Sequence, residues 1–365
     1  MDDDLSLDTL HLPIISQEYA KVYREHKDTL LYMINSDISK DEALQDMICN
    51  IPHSLIYDLH RYHVSLLSSV LELGNYTLLV HSLPWEYRAY HNQGLPYEYF
   101  LHIYGLWQDA IKHTFDKKFS QDLSSVYTWL ISQHEHIITL SQKEPTTQDS
   151  SIYSIQQDSL VKSLLKGDHL AVMDLCRKFL AEEKSLTMLF STIIQPAMVS
   201  IGLHWETGKI TSAKEHLATA IITKTLSVLY AQAPLATPSR GTAIVTAAPN
   251  EYHELGAWMV ASALESDGWN VHYLGANTPA RDLLMLLKET KADLLAISAV
   301  VPFHLDEIRE LINSIRRDDT LTKVKVIIGG RAFDSMPEIA ANMGADAHLH
   351  NANDAVQKAR EWQCD

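Results

Sequence analysis

The regular alternation of strand and helix in this chain begins with residues 242–256, which read TAIVTAAPNEYHELG. The apolar run Thr242–Ala248 is typical of a buried strand, and Gly256 opens a segment typical of a helix. His253 is therefore predicted to lie on the loop after a parallel strand, where open α/β sheets bind ligands. The carboxylate of Glu251 can hydrogen-bond one ring nitrogen of His253 and leave the other for a metal. Gly256 lets a large flat ligand approach the backbone.

The alternation continues to the end of the chain. It predicts that residues 241–365 form a Rossmann-like (flavodoxin-like), doubly wound parallel α/β sheet. No G-x-G-x-x-G follows the first strand, which argues against a nicotinamide or flavin dinucleotide. The predicted strands are Thr242–Ala248, Val271–Leu274, Leu294–Val300, Val324–Ile328 and Ala347–Leu349, and the predicted helices are His253–Ser266, Pro279–Lys288, Leu305–Arg317, Ser335–Met343 and Asp354–Trp362.

Length and composition limit the classes of protein that fit. A chain of 365 residues has room for two or three domains. Its formal net charge of −16 argues against direct nucleic-acid binding, which needs a basic face. The three cysteines are far apart, so neither a disulfide framework nor a zinc site is indicated, and a cytoplasmic location is expected. The acidic first residues do not resemble a signal peptide, and no membrane span is predicted.

Residues 1–142 are predicted to be an all-helical domain, because apolar residues recur at three- and four-residue steps. Residues 81–85 (HSLPW) and 92–96 (NQGLP) contain proline or glycine and are interpreted as connections. The region is rich in histidine and aromatic residues. Two interpretations remain open: a pocket for a tetrapyrrole or other flat chromophore, or an amphipathic bundle with its histidines and tyrosines at the core boundary.

A second helical region is predicted at 152–233, between a polar linker at 143–151 and a proline-containing linker at 234–240. Short turns between its segments indicate an antiparallel four-helix bundle. The predicted helices are Ile152–Leu165, Asp168–Ala181, with Asp168 as the N-cap, Leu186–Leu203 and Thr211–Ala231.

The connection between the last two of these helices, residues 204–210, contains Trp205. Glu215 and His216 follow on the first turn of the next helix. Trp205 and this pair could together cover a planar ligand. The alternative is that Trp205 only plugs the end of the bundle.

The last 125 residues resemble the cobalamin-binding Rossmann-like domain. That family has an acidic residue-x-His-x-x-Gly motif, then Ser-x-Leu, then Gly-Gly at a set spacing. Here Glu251, His253 and Gly256 form the first element. Ser298-Ala299-Val300 follows after residues 257–297, and Gly329-Gly330 follows after residues 301–328. Each element falls at the carboxyl end of a predicted strand.

The resemblance implies base-off, His-on binding, in which His253 is the lower axial ligand of cobalt. Ser298 would contact the dimethylbenzimidazole of the displaced cobalamin tail. Val300 would line the same slot, and Gly329 and Gly330 would leave room for the tail. The chain departs from the usual pattern in having Glu251 in place of aspartate and Val300 in place of leucine, and both replacements keep the chemical character of the site.

Residues 152–233 resemble the helical cap over cobalamin in methionine synthase and in light-sensing cobalamin regulators. The Trp-x9-Glu-His motif of the latter is present as Trp205, Glu215 and His216. By this resemblance, Trp205 would cover the upper axial group, and Glu215 and His216 would line an adenosyl pocket. The chain lacks the MerR-type DNA-binding helices of those regulators. It also has Glu206 where they have a cobalt-capturing histidine.

These resemblances imply a cobalamin-binding sensor, with light as the signal, adenosylcobalamin as the cofactor and methylcobalamin as the other form considered. Its output would pass through a protein partner or a homo-oligomer. A variant interpretation is a photocobilin-like protein with a bilin in residues 1–142. The alternatives are a corrinoid methyl carrier of a methyltransferase system and an antirepressor that reports cobalamin status. In none of these interpretations is the chain itself an enzyme.

Overall fold

The computed structural model describes residues 9, 11–143, 152–182, 185–233, 236–334 and 336–363. The expected linker at 143–151 therefore lies outside the described residues except at its first residue. The chain forms two compact units. Unit 1 lies within Met1–Pro145 and Glu206–Lys209, and unit 2 lies within Thr146–Trp205 and Ile210–Asp365.

Unit 1 is helical, as predicted, and one predicted connection is wrong. Residues 81–85 lie inside the helix Thr77–Asn92, with Pro84 in its interior. A proline inside a helix costs about 3 kcal/mol, but burial of neighbouring side chains such as Leu83 and Tyr87 offsets this cost. The helices are α1 Gln17–Glu25, α2 Lys27–Ile38, α3 Glu42–Ile48, α4 His53–Leu73, α5 Thr77–Asn92, α6 Glu98–Thr114, α7 Lys117–Ser132 and α8 His134–Ser141.

Three histidines of unit 1 lie in its core rather than at the core boundary. His60, His63 and His134 are buried, and each shares a hydrogen bond with a tyrosine hydroxyl. A buried polar group is costly unless it is paired, and each bond pairs one ring nitrogen with one hydroxyl. Nδ1 of His63 is buried and has no hydrogen-bond partner among the described residues. The sequence pattern missed this arrangement because helical periodicity does not distinguish a paired histidine from a solvated one.

The helices of unit 2 before its sheet share one hydrophobic core, which includes Leu164, Val172, Phe190 and Ile222. Asp168 is the N-cap of its helix, as predicted, and accepts a hydrogen bond from the backbone N–H of Ala171. The role of these helices as a cobalamin cap stays a prediction. Their bounds are α9 Ser154–Lys166, α10 His169–Ala181, α11 Leu186–Leu189, α12 Gln195–Glu206 and α13 Ser212–Gln232, with a π-helical segment at Phe190–Ile194 between α11 and α12.

Helix α12 ends later than the sequence indicates. It continues to Glu206, so Trp205 lies on its last turn and not in the connection to α13. Among the described residues, one stretch, Leu186–Glu206, is long and apolar enough to cross a membrane by length and composition. Its buried members, such as Phe190 and Ile193, belong to the core of unit 2. Core helices of water-soluble proteins also have this property, so the stretch is weak support for a membrane span.

The sheet of unit 2 is parallel throughout and has the order β2-β1-β3-β4-β5, as expected for a doubly wound fold. The strands β1, β3 and β4 are central and almost entirely buried, which explains their continuous apolar composition. The strands are β1 Thr242–Ala247, β2 Asn270–Tyr273, β3 Leu294–Ser298, β4 Lys325–Gly329 and β5 Ala347–Leu349.

The helices that connect these strands agree with the predicted ones except near residue 335. The segment predicted as Ser335–Met343 is two short helices, α17 and α18, and Ser335 itself lies outside the described residues. Pro337 is the first residue of α18, where a missing N–H costs little. The helices are α14 Leu255–Ser266, α15 Ala280–Thr290, α16 Leu305–Arg317, α17 Arg331–Asp334, α18 Pro337–Asn342 and α19 Ala352–Glu361, with a 3₁₀ turn at Pro302–His304.

Candidate cofactor site

His253 lies on the loop between β1 and α14, at the carboxyl edge of the sheet. Its side chain is 59% exposed, while that of Glu251 is 2% exposed. The Nδ1 of His253 and Oε1 of Glu251 are 2.5 Å apart, and the backbone N–H of His253 donates to the same oxygen at 3.0 Å. Because Nδ1 is engaged by the carboxylate, Nε2 is the ring nitrogen that can bind a metal.

Each member of this pair changes the other's proton affinity. Burial alone would raise the pKa of Glu251, but hydrogen bonds from His253 and its charge outweigh burial and lower that pKa. Burial alone would lower the pKa of His253, but the hydrogen bond and charge of Glu251 raise it, and the charge of Glu215 raises it further. The site therefore favours a buried carboxylate beside an electron-rich imidazole.

The second oxygen of Glu251 joins two loops. Oε2 accepts hydrogen bonds from the backbone N–H groups of Val300 at 2.9 Å and Val301 at 3.2 Å. Val300 was predicted as an apolar residue lining a slot, and the structure adds a role for its backbone. Val301 was not predicted, because a backbone donor leaves no sequence signal. The two bonds fix the carboxylate and thereby the orientation of the imidazole.

Ser298, Gly256 and Gly329 lie close together where the strands end. Ser298 of β3 is opposite Gly329 of β4 in the sheet register. A methyl group at Gly256 would lie 2.9 Å from the Ser298 hydroxyl. The absence of a side chain at residue 256 therefore leaves the Ser298 hydroxyl room beside the first turn of α14.

The two glycines at the end of β4 are needed by the backbone itself. A Cβ on Gly329 would lie 2.5 Å from the Leu349 carbonyl oxygen, and one on Gly330 would lie 2.2 Å from the Ala299 carbonyl oxygen. Gly330 also has φ +103°, which L-residues rarely adopt. The resemblance implies that these glycines leave space for a ligand. The structure shows that the backbone requires glycine at both positions even without a ligand.

A narrow cavity of about 80 Å³ opens at this edge of the sheet. Ser298, Gly256, Gly329 and Gly330 line it, together with Phe190 and other residues of the preceding helical region. The cavity thus brings together four residues predicted to bind the cofactor, three of them, Ser298, Gly329 and Gly330, predicted for the cobalamin tail. An apolar slot with a few polar groups is the usual form of a cofactor site.

The residues predicted above the cofactor lie on the last turn of α12 and the first turns of α13. Trp205 is half-buried, and its Nε1–H donates to the Ser212 hydroxyl at 2.9 Å. Glu215 accepts from the Thr219 hydroxyl at 2.8 Å and pairs with Nδ1 of His216 at 2.6 Å. The charge of Glu215, on the first turn of α13, contributes to raising the pKa of His253.

Glu206 stands where the light-sensing regulators have their cobalt-capturing histidine, and its carboxylate is already paired with another side chain. Its side chain is buried and forms an ion pair with Arg88, a residue of the same unit. The backbone carbonyl of Glu206 also accepts a hydrogen bond from Asn92. The carboxylate is therefore held by a guanidinium rather than presented to a ligand.

These residues fit the demands of a corrinoid. A histidine nitrogen faces outward beside a fixed carboxylate, and a slot lined by glycine and serine opens at the same edge of the sheet. His253 would bind the cobalt, and the slot would receive the nucleotide tail. The donor set contains one imidazole and no thiolate, which suits an axial ligand better than a closed structural metal site.

Comparisons with known proteins agree with this chemistry. Two family sequence models, both described as a B12 binding domain, match residues 156–230 and 241–360. Dimethylamine corrinoid protein 3 of Methanosarcina acetivorans is 30% identical over 169 residues, which are 46% of this chain and 78% of that protein. The HTH-type transcriptional repressor CarH of Myxococcus xanthus is 27% identical over 161 residues, 44% of this chain and 53% of that protein.

A solved structure supports the fold. The Methanosarcina barkeri monomethylamine corrinoid protein has a TM-score of 0.51 and 20% identity, and the similarity covers 57% of this chain and 99% of that one. The first of the relatives above is named a corrinoid protein, in agreement with the expectation that this chain is not itself an enzyme. On these sequence matches, the chain belongs to the family of B12-binding proteins.

Proposed function

We propose that the chain is a cobalamin-dependent light sensor that binds adenosylcobalamin in the base-off, His-on mode. Cobalamin supplies a cobalt–carbon bond that light can break. In this proposal His253 donates Nε2 to cobalt, and Glu251 holds the imidazole in position. Ser298, Gly329 and Gly330 admit the nucleotide tail.

The observation that carries this proposal is the arrangement of Trp205, Glu215 and His216 at the end of α12 and the start of α13, in the same unit as His253. Glu215 acts electrostatically on His253, and Trp205 is held near the start of α13 by its bond to Ser212. The proposal assigns the helices of residues 152–233 to a cap and residues 241–365 to the cobalamin-binding domain. In this proposal, light removes the upper axial group of cobalamin that Trp205 covers. Helices α12 and α13 are then free to move.

The signal in this proposal leaves through protein contacts. We propose a protein partner or a second copy of the chain as the receiver, a cytoplasmic location and no direct contact with nucleic acid. The net charge of −16 suits docking on a basic partner. A bilin in residues 1–142 is a variant of the proposal, and its support is the aromatic and histidine content of that region.

A second candidate is a corrinoid methyl carrier, and the relatives favour it. The 30% identity to dimethylamine corrinoid protein 3 exceeds the 27% identity to the repressor CarH. The first 155 residues lie outside both family matches, and the methyl-carrier interpretation leaves them without a role. A third candidate, an antirepressor that reports cobalamin status, needs no photochemistry.

The test compares the adenosylcobalamin-loaded chain before and after green light. We expect a changed visible spectrum and a changed elution volume on gel filtration. Trp205→Phe should alter both light responses, whereas Trp129→Phe, in α7 of unit 1, should leave them unchanged. A spectrum and elution volume that light does not change would overturn the light-sensor proposal.

The same preparation separates the other candidates. If a corrinoid methyltransferase methylates the bound cobalamin and light has no effect, the chain is a carrier. If neither occurs and cobalamin alone changes the elution volume, the status sensor is supported. A red or far-red absorbance band after expression with a bilin supply would support the bilin variant, and its absence would remove it.

A further inference from the structure

Three side chains that commonly bind metals meet at the carboxyl end of β5. The ligand atoms of Asp334, His348 and His350 all lie within 4.8 Å of one another. In the described part of the chain, no other group of three His, Cys, Asp or Glu residues meets this distance. In the sheet order, β3 and β4 separate β5 from β1, which leads to His253, so the cluster is distinct from the candidate cobalt ligand.

The fold explains why these residues meet. His348 and His350 are two positions apart at the end of β5, so their side chains point to the same side. Their rings make an edge-to-face contact with centroids 4.7 Å apart. Asp334 ends the short helix α17 that follows β4, and its Oδ1 lies 3.1 Å from Nδ1 of His350. Residues from two neighbouring βα connections thus converge on one point.

One nitrogen in this cluster needs a partner. Nε2 of His348 is buried and has no hydrogen-bond partner among the described residues. A buried polar atom left unpaired costs roughly 1–3 kcal/mol, and such atoms call for a specific explanation. Asp334 and His350 are 50% and 61% exposed, so an ion can reach the group from solvent.

The donor set selects the kind of ion. Two imidazoles and one carboxylate suit zinc and other divalent transition metals, and three protein ligands leave a position for water. Calcium and magnesium prefer oxygen ligands and are disfavoured here. We propose that Asp334, His348 and His350 bind a divalent transition-metal ion, with Zn²⁺ as the representative ligand. The argument for this site does not use cobalamin binding, although His350 also lines the cavity of Ser298, Gly329 and Gly330.

The experiment is a zinc titration of the full chain purified without cobalamin, followed by equilibrium dialysis and elemental analysis. We expect one zinc per chain. His350→Ala and Asp334→Asn change exposed side chains, so the fold should persist. Each should weaken zinc affinity at least about 10-fold, since even the outer partners of metal ligands contribute 10–100-fold. His136→Ala, a change at an exposed histidine of α8, should leave zinc affinity unchanged.

His253 is the competing zinc ligand, and a further variant separates the two sites. His253→Ala should keep the zinc and lose cobalamin, so failure of the cobalamin proposal and failure of the zinc proposal give different results. Zinc binding that survives His350→Ala but disappears with His253→Ala would overturn the proposal. So would the absence of stoichiometric zinc in the unmodified chain.

Discussion

At the scale of single residues, the candidate site depends on one buried carboxylate. The two carboxylate oxygens of Glu251 accept hydrogen bonds from three backbone N–H groups, and one of them also pairs with the imidazole of His253. Glutamate reaches these partners although the family usually has aspartate at this position. The carboxylate therefore orients His253 and ties together the loops after β1 and β3.

Replacing Glu251 by glutamine should weaken cobalamin binding. The neutral amide no longer raises the basicity of His253, and its NH₂ group faces backbone donors. We expect a 10–100-fold higher Kd for cobalamin in a spectroscopic titration, the range found for partners of metal-bound histidines. Glu289→Gln, on the exposed face of α15, is the matched control. An unchanged Kd for Glu251→Gln would contradict the assigned role of this residue.

The buried His60 should make unit 1 sensitive to acid. Burial, with a smaller effect from His63, lowers the pKa of His60 to about 3, against about 6.5 when unfolded. Between these two pH values, His60 binds a proton in the unfolded chain but not in the folded chain. The free energy of unfolding therefore falls as the pH drops below about 6.5 towards 3. The slope contributed by this residue is up to about 1.4 kcal/mol per pH unit.

The measurement is the free energy of unfolding by urea at several pH values. His60→Gln should lack this part of the slope, whatever its stability at neutral pH. His136→Ala, at an exposed position, should keep it. If His60→Gln and the unmodified chain showed the same pH slope, His60 would not be the group that titrates.

At the scale of elements, two helices include residues that the sequence pattern predicts to be connections. Helix α5 contains Pro84, and α12 includes Trp205. Local propensity favours a break at the proline, but α5 buries Leu79, Leu83 and Tyr87 in the core of unit 1. Tertiary packing therefore outweighs the local penalty in α5.

The turn after β4 should tolerate no side chain. In Gly330→Ala the new Cβ would meet the Ala299 carbonyl at 2.2 Å in a backbone with φ +103°. We expect the free energy of unfolding of cobalamin-free unit 2 to fall by about 1–3 kcal/mol or more in a urea titration. Gly202→Ala in α12 meets nothing within 4 Å and should be neutral or stabilising. Equal stabilities for the two variants would refute this explanation.

At the scale of the whole molecule, unit 2 contains nearly all of the residues that the family models match. The exception is Glu206–Lys209, which cluster with unit 1. The chain therefore joins a helical unit to a cobalamin-binding unit. Binding of a ligand to one of them should be visible as a change in its stability.

Cobalamin should stabilise unit 2 against unfolding. A ligand at 100 times its Kd adds about 2.7 kcal/mol to the free energy of unfolding of the part that binds it. We expect a higher Tm for unit 2 in calorimetry when cobalamin is added in the dark. His253→Ala should show a smaller shift at the same concentration. A Tm that cobalamin leaves unchanged would argue that the vitamin binds elsewhere or not at all.

The sequence by itself determined the doubly wound sheet and the place of the candidate site within it. Strand and helix periodicity is local, and the motif residues fall where parallel strands end on one edge. Only the tertiary structure decided how Glu251 is held, which histidines are buried, and where α5 and α12 end. It also decided that Asp334, His348 and His350 converge. These features depend on backbone groups and packing partners far apart in the chain, which no local pattern encodes.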